Sequence, residues 1–510
     1  MNGPVETELK FQVPAPSLAA VKRSISTKTA RTVTLQARYF DTPDQRLATH
    51  HVALRMRREG MQWVQTVKAP GPSAMVRLEH EVRLELSEDE PPLDTARHAG
   101  TAAGHALAAA LGDAAGSLQL VFETRVLRTL RVVRHAGALV EIALDVGEVI
   151  AAERHQPLCE LEFELKRGPL DGLLSLAARW AKQHGLWLDV RSKAERGLRL
   201  AGATGTGLPA QSGRSALTPD MSADEALRAM VAACLVQILP AAAEVAEGAE
   251  EAEHLHQLRV GLRRLRCALR MFGDASNTAD PNWGLALATL FNRLGSTRDR
   301  DVFELTVFPA LRAAGAPLAE LPPDACDDDP GEAVRGFACT ELLLKLLGFV
   351  HGAASQPPGN GDAEASSGLL SLWQARLHHL RRQLRTDAER FLDLDDASRH
   401  RCRKRLKRWR YSLEFAAPLY AAKSMKRSLA RVREAQEILG RYNDLAIAEQ
   451  AFLALAAHDA RAWFAGGWLK AAREQLVPSA RKALMKMVAA AGELRPMKGH
   501  PARRSDGSGT

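Results

Sequence analysis

Glu6, Glu8 and Lys10 stand at every second position of Val5-Glu6-Thr7-Glu8-Leu9-Lys10-Phe11. That spacing puts all three on one face of a β-strand. Two carboxylates so close repel unless a cation lies between them, and a hard cation such as Mg²⁺ takes oxygen ligands while keeping waters and substrate phosphates. Such a face suits a metal-bound anion better than a packed core.

The alternation recurs along the chain. Arg55 and Arg57 share a face, as do Glu79, Glu81 and Arg83, then Glu141 and Asp145, then Glu160, Glu162, Glu164 and Lys166, and Lys68 closes the short extended run 64–68. An ordinary half-buried sheet would turn each charged face to water and keep the apolar face for a core. If the charged faces converge instead, they must line a wet cavity, because an ion taken out of water is costly unless partners satisfy it. A closed antiparallel barrel supplies that cavity, with Leu9, Phe11, Leu54, Leu161 and Phe163 turned outward beneath covering helices.

The whole chain bounds this reading. Its 510 residues imply two or more domains, and a net charge of +9 favours polyanionic partners without choosing among nucleic acid, anionic membrane and polyphosphate. Six dispersed cysteines, Cys159, Cys234, Cys267, Cys326, Cys339 and Cys402, form no C-x-x-C pair, which points to a reducing cytoplasm rather than a disulfide framework or zinc site. No stretch approaches eighteen uninterrupted apolar residues, and a charged strand begins at residue 6, so a soluble chain with no membrane partner is expected.

Glycine, threonine, serine and proline replace periodic hydrophobicity at 201–217, which predicts a linker. Beyond it, Ala, Leu, Arg and Glu recur at helical spacing over 218–490, interrupted by expected exposed loops at 322–331 and 353–368, and 491–510 reads as a disordered tail. The helical half repeats itself. His256-x-x-Arg259-x-x-x-Arg263-Arg264-x-Arg266 is echoed 144 residues later by His400-x-x-Arg403-x-x-x-Lys407-Arg408-x-Arg410, and Leu294-Gly295-x-x-Arg298-Asp299 by Leu439-Gly440-x-x-Asn443-Asp444. Two related helical bundles follow. His256, Arg259, Arg263, Arg266 and Arg270 fall along one helix face, and His400, Arg403, Lys407 and Arg410 along its counterpart. Eight of the twelve residues 399–410 are Lys or Arg, a crowding that works against the free helix and that a phosphate-rich ligand would relieve. His254 and His256 diverge on a helix and make a poor metal pair, Ser192 lacks a motif-linked histidine, and Trp180 and Trp187 read as packing residues near the last strand.

The N-terminal pattern resembles the CYTH domain, the triphosphate tunnel metalloenzyme fold. The resemblance rests on Glu6-x-Glu8-x-Lys10, Tyr39-Phe40-Asp41-Thr42-Pro43, Arg55-x-Arg57, Glu79-x-Glu81, Glu160-x-Glu162-x-Glu164 and Ser192-Lys193. It covers roughly residues 1–200 and implies an eight-stranded tunnel in which Glu6, Glu8, Glu160 and Glu162 hold a divalent metal while Lys10, Arg55, Arg57, Lys68, Arg128 and Lys193 hold a triphosphate. Arg125 is the alternative to Arg128, which is preferred. Glu79, Glu81, Glu141, Asp145 and Glu164 could orient water, bind a second metal or balance the basic wall. The helical half resembles the CHAD domain, which implies binding of long-chain polyphosphate by His256, Arg259, Arg263, Arg266, His400, Arg403, Lys407 and Arg410.

The expected architecture is α+β: an antiparallel eight-stranded β tunnel at 1–200, then an all-α domain of two repeated bundles at 218–490. CYTH followed by CHAD resembles the bacterial inorganic triphosphatase group, which implies Mg²⁺-dependent hydrolysis of tripolyphosphate to pyrophosphate and phosphate, with Mn²⁺ as the other candidate ion. Three rivals stand beside it: the same tunnel acting on ATP or thiamine triphosphate, including cyclisation of ATP; a non-catalytic polyphosphate scaffold; and nucleic-acid binding. The last is disfavoured by 5% aromatic content and no nucleic-acid motif.

Overall fold

A computed structural model describes residues 5–73, 75–203, 212–213, 215–249, 251–295, 303–321, 329–352 and 369–497. The strands are β1 (Val5–Gln12), β2 (Arg31–Asp41), β3 (Ala53–Glu59), β4 (Gln62–Ser73), β5 (Val76–Arg83), β6 (Gln119–His135), β7 (Ala138–Ala151), β8 (Arg154–Arg167) and β9 (Trp187–Leu188). They are interleaved with α1 (Leu18–Ile25), α2 (Arg46–Thr49), α3 (Ala102–Leu111), α4 (Leu170–His184) and α5 (Lys193–Leu200). The order β5-β4-β3-β2-β6-β7-β8-β1 closes on itself through β1 and β5, where Glu6 faces Arg77 and Thr7 faces Val76. An eight-stranded antiparallel barrel results, as the alternating faces require. The two-residue β9 adds to the end of β1.

Tight hairpins fix its register. Ala136 and Gly137 both take positive φ (45° and 78°) between β6 and β7, the handedness that a two-residue turn needs to match strand twist. The outward set packs as expected: Leu9 is 3% exposed, and Phe11, Leu54, Leu161 and Phe163 are fully buried. Phe163 meets Phe11 edge-to-face at 5.6 Å and Trp180 of α4 at 6.0 Å, while α2 and α3 cover Leu54 and Val67. The interior departs from a uniformly charged lining. Ala37, Tyr39, Phe122, Val126, Val149 and Leu158 form an apolar cluster against α5. Gly197 lets that helix lie on Phe122, since a Cβ there would come within 2.1 Å of the ring.

The remaining helices are α6 (Ala223–Glu247), α7 (Ala252–Phe272), α8 (Trp283–Arg293), α9 (Phe308–Ala313), α10 (Pro330–Arg335), α11 (Phe337–His351), α12 (Leu369–Glu389), α13 (Asp396–Ala416), α14 (Ala422–Ala456) and α15 (Ala462–Ala491). The repeat is structural as well as sequential. Helices α7 and α13 each have 21 residues and begin and end at the same offset. They pack through Cys267, whose Sγ lies 3.7 Å from Ser412 Oγ, and Arg264, 4.0 Å from Glu414.

Contacts divide the chain into two compact units that cut across the linear order. The first is Met1–Ser212 with Leu235–Leu258 and Asp329–Ala353; the second is the remainder. Helix α6 is long and apolar enough to cross a membrane, but 78% of its apolar window is buried within the protein, so its apolarity serves packing.

Two loop expectations need correction. Pro330 and Gly331 open a helix, with Pro330 in the first turn and Asp329 as N-cap accepting from Gly331 N at 2.8 Å. The start of the supposed tail is paired: Arg495 O accepts from Ala421 N at 2.9 Å, and Pro496 bridges Tyr420. Most of the linker, 322–328, 353–368, Cys326, Arg298, Asp299 and 498–510 lie outside the described residues.

Candidate active site: a tunnel of interleaved acids and bases

A cavity of about 480 Å³ runs inside the barrel, lined by charged residues from β1, β3, β4, β5, β6, β7 and β8 together with Lys193. Glu6, Glu8, Arg55, Arg57, Lys68, Glu79, Glu81, Arg128, Glu141, Asp145, Glu162 and Glu164 all line it. Lys10 is 7% exposed and stands opposite Glu162 in the β1–β8 register; it lines a second, larger cavity of about 1330 Å³ that shares Glu8, Tyr39, Arg55, Lys68, Glu162 and Lys193 with the first.

The charges form two groups. On one wall, Lys68 Nζ lies 2.8 Å from Glu6 Oε2 and 3.0 Å from Glu79 Oε2, and Arg55 lies 3.7 Å from Glu79 and 3.5 Å from Glu81. Arg57 reaches Glu59 at 2.6 Å and Glu81 at 3.3 Å. Burial pushes Glu79 up to about 8, and its hydrogen bond with Glu6 adds to this. Burial acts on Glu6 in the same sense, but the hydrogen bond from Glu79 and the charge of Lys68 outweigh it and hold Glu6 at about 2. The two carboxyls of the pair are thus pushed apart in opposite directions.

On the opposite wall, Asp145, Glu160 and Glu162 place ligand oxygens within 4.8 Å of one another. Arg128 grips this group with a fork: Nε and Nη2 reach Asp145 at 2.7 and 2.6 Å, and Nη2 reaches Glu162 at 2.6 Å. Lys193 Nζ lies 2.7 Å from Asp145 and 2.9 Å from Glu162 and also bonds Glu160. Burial disfavours ionised Glu162, yet Lys193, Arg128 and Lys10 together hold its carboxyl well below the usual range. Glu160 is pushed the other way, burial being the larger influence.

Local sequence explains how Lys193 comes to lie there. Ser192 and Glu195 form a capping box at the start of α5, with Ser192 Oγ accepting from Glu195 N at 3.1 Å and Glu195 Oε2 accepting from Ser192 N at 2.6 Å. That gives Ser192 a structural task. A lysine in the first turn opposes the positive end of the helix dipole, and the three carboxylates offset this.

The donor set fits a hard divalent cation. Three carboxylates converge, and Glu160 Oε2 is buried with no hydrogen-bond partner. The geometry joins Glu160 and Glu162 to Asp145, whereas Glu6 and Glu8 line the cavity outside that cluster, Glu6 at Lys68 and Glu8 3.9 Å from Arg77. Arg125 projects to solvent at 58% side-chain exposure, on the other face of β6 from Arg128. Tyr39, whose hydroxyl accepts from Arg55 at 3.5 Å, and Lys166, 2.6 Å from Glu164, also line the cavity; the sequence motifs include both but assign neither a site role. The parity of Lys166 on β8 was the signal for it.

In the helical half, Arg259, Arg263 and Arg266 gather about Phe291, at 4.5, 5.8 and 5.9 Å from the ring centre. Part of each stripe is satisfied internally. Arg259 donates to Leu294 O, Arg410 lies 2.6 Å from Glu414, and His400 Nδ1 meets Asn443 Oδ1 at 2.9 Å. Trp409 and Tyr411, 1% and 6% exposed, pack inside and offer no ring for a base to stack on. His254 is 2% exposed, 3.4 Å from Glu251.

A closed barrel with acids and bases turned inward, followed by a duplicated helical domain with cationic stripes, defines a tunnel protein with a charged interior. Residues 5–198 match the CYTH domain and residues 229–453 the CHAD domain, and the chain carries both, in that order. An inorganic triphosphatase of Haemophilus influenzae is 32% identical over 163 residues, a match that spans 32% of this chain and 44% of that relative. Among solved structures, the chain is similar to the CHAD domain of Ricinus communis (31% identity, 57% of this chain and 99% of that one, TM-score 0.46). It is also similar to a Hippeastrum protein described by a dominant triphosphatase activity (17% identity, 39% and 96%, TM-score 0.28).

Proposed function

We propose that the tunnel hydrolyses the terminal phosphoanhydride of inorganic tripolyphosphate, water adding to the terminal phosphorus as the bridging oxygen leaves with pyrophosphate. The observation that carries this reading is the convergence of Arg55, Arg57, Lys68, Arg128 and Lys193 with two acidic groups on one 480 Å³ cavity. The name of the Haemophilus relative supports it. Phosphoryl transfer asks a protein mainly for positioning and charge stabilisation. Arg55, Arg57 and Lys68 on one wall and Arg128 and Lys193 on the other would hold the phosphate oxygens from both sides, with Lys10 where the two cavities join. Asp145, Glu160 and Glu162 would hold Mg²⁺, or Mn²⁺ in its place. When bound, that ion supplies positive charge to the phosphate oxygens and polarises them. For the compartment we retain the reducing cytoplasm.

Phosphate release across tri-, tetra- and long-chain polyphosphate, ATP and thiamine triphosphate, each with Mg²⁺ and with excess chelator, tests this. Tripolyphosphate should give the highest kcat/KM and chelation should abolish turnover. A preference for either nucleotide-like substrate, or turnover indifferent to chelator, would reject the assignment.

The helical domain we read as a docking surface for long-chain polyphosphate, supported by the cations around Phe291 and their counterparts Arg403 and Lys407. Binding should weaken with salt, and Arg263→Ala with Lys407→Ala should lower affinity by about 10-fold or more, since a charge-assisted hydrogen bond contributes about 1.5–3 kcal/mol. Titration calorimetry at several salt concentrations measures both, and affinity unmoved by the substitutions would remove the stripes from the surface.

A further inference from the structure

Lys193 is held from outside the barrel as well as from within. Two residues before it Arg191 is 8% exposed, and three after it Arg196 is 5% exposed. Both converge on the fully buried Asp189: Arg191 Nε and Nη2 reach its two oxygens at 3.0 and 2.8 Å, and Arg196 Nη2 bonds Oδ2. One carboxylate cannot balance two buried guanidiniums. The remaining charge comes from α6, in the part that belongs to the barrel's own compact unit. Glu247 bonds Arg191 and lies 3.1 Å from Arg196, and Glu244 lies 3.3 Å from Arg191 and 2.5 Å from Arg199. Three arginines thus meet three carboxylates, and the group is neutral only when both glutamates take part. The same loop is tied to β1, since Asp189 N donates to Lys10 O at 2.9 Å.

Glu244, Glu247 and the three arginines also line the larger cavity that adjoins the tunnel. Unpaired acids there would repel a polyanion; each is paired. The neutral group therefore leaves the approach to the tunnel open to anions while fixing both ends of the segment 191–196 that bears Lys193.

We propose that Glu244 and Glu247, which lie within the stretch matched to the CHAD domain, are positioning residues for Lys193. The inference rests on reading Lys193 as a phosphate-binding cation. Losing Glu247 leaves Arg191 with Asp189 and the longer contact to Glu244, and Arg196 with Asp189 alone, so the first turn of α5 loses most of its outer anchor. A displacement of about 1 Å at such a group costs up to about 10²-fold.

The test is a double-mutant cycle in the full chain: Glu247→Gln alone and on a Lys193→Ala background. It is read by tripolyphosphate hydrolysis and by metal-free tripolyphosphate binding in a calorimeter. Glu247→Gln should weaken binding and lower kcat/KM by about 10-fold in the native background, and by less than about 2-fold once Lys193 is gone. Glu247→Asp should restore most of the loss. Equal losses on both backgrounds, the mark of a purely structural cluster, or no loss in the native background, overturn the inference. Should Glu247→Gln fail to fold, Glu244→Gln carries the same cycle with Arg196 still anchored. A chain that binds tripolyphosphate without hydrolysing it rejects the proposed activity and leaves the binding cycle decisive. A chain that hydrolyses it with additive losses rejects this inference alone, and a chain that does not bind it rejects both.

Discussion

Glu162→Gln should lower tripolyphosphate turnover by about 10³-fold, the equivalent of the several kcal/mol of charge stabilisation that a bound metal contributes. Glu162 is where the charges of this wall meet. It accepts from Arg128 at 2.6 Å and from Lys193 at 2.9 Å, faces Lys10 across the strand pair, and supplies one of three clustered ligand oxygens. The amide keeps the shape and removes the charge, so both basic partners lose a counter-ion and the proposed metal site loses a ligand. Asp145 still pairs with Arg128 and Lys193 in the variant, which preserves the wall. Phosphate release is compared with metal affinity from titration calorimetry, and a thermal melt establishes that the barrel remains folded. Turnover within about 3-fold of the native protein would take Glu162 out of the transition state altogether. A large loss with unchanged metal affinity would keep its electrostatic part and dismiss it as a metal ligand.

Much of this site was legible in the sequence because a strand has a side-chain period of two. Parity alone put Glu6, Glu8 and Lys10 on one face and Glu160, Glu162 and Glu164 on another, and it separates Arg125 from Arg128, three positions apart and therefore on opposite faces of β6. Parity says nothing about which strands pair or in what register. Asp145 could be matched with Glu141 on its own strand, yet its place in the acidic cluster depends on standing opposite Glu160 across β7 and β8. The grouping of Glu6 and Glu8 with Glu160 and Glu162 came from the resemblance; the register puts their strands side by side, with Glu8 opposite Glu164 and Lys10 opposite Glu162. The apolar zone of the interior was hidden too. It depends on the β2–β6 register, which stacks Tyr39 on Phe122 at 4.4 Å, and on α5 lying against them. In the helical half, the repeat gave α7 and α13, but Asp-Pro-Gly at 329–331 was read as a loop. The same three residues are also a strong helix start, with an N-cap, a proline in the first turn and no side chain to obstruct it.

Arg128→Ala is expected to cost both activity and stability, and the two losses separate its roles. Its guanidinium makes three charge-assisted bonds, two to Asp145 and one to Glu162, while its side chain remains 21% exposed toward the cavity. Removing it leaves Asp145, which is fully buried, with Lys193 as its remaining cationic partner. Breaking a buried pair in this way costs about 3 kcal/mol, read as a lower urea midpoint with unchanged slope. Loss of a donor aimed at developing phosphate charge should lower kcat/KM by about 10²–10³-fold. Arg128→Lys restores the charge without the fork, so it should recover part of the stability but remain about 10-fold below the native kcat/KM. Arg125→Ala, on the solvent face of the same strand, should stay within about 2-fold in activity, as exposed substitutions away from a site do. Were Arg125→Ala and Arg128→Ala to lose activity equally, the inward orientation of Arg128 could not be the reason for either loss, and the basic wall of the tunnel would have to be built from other residues.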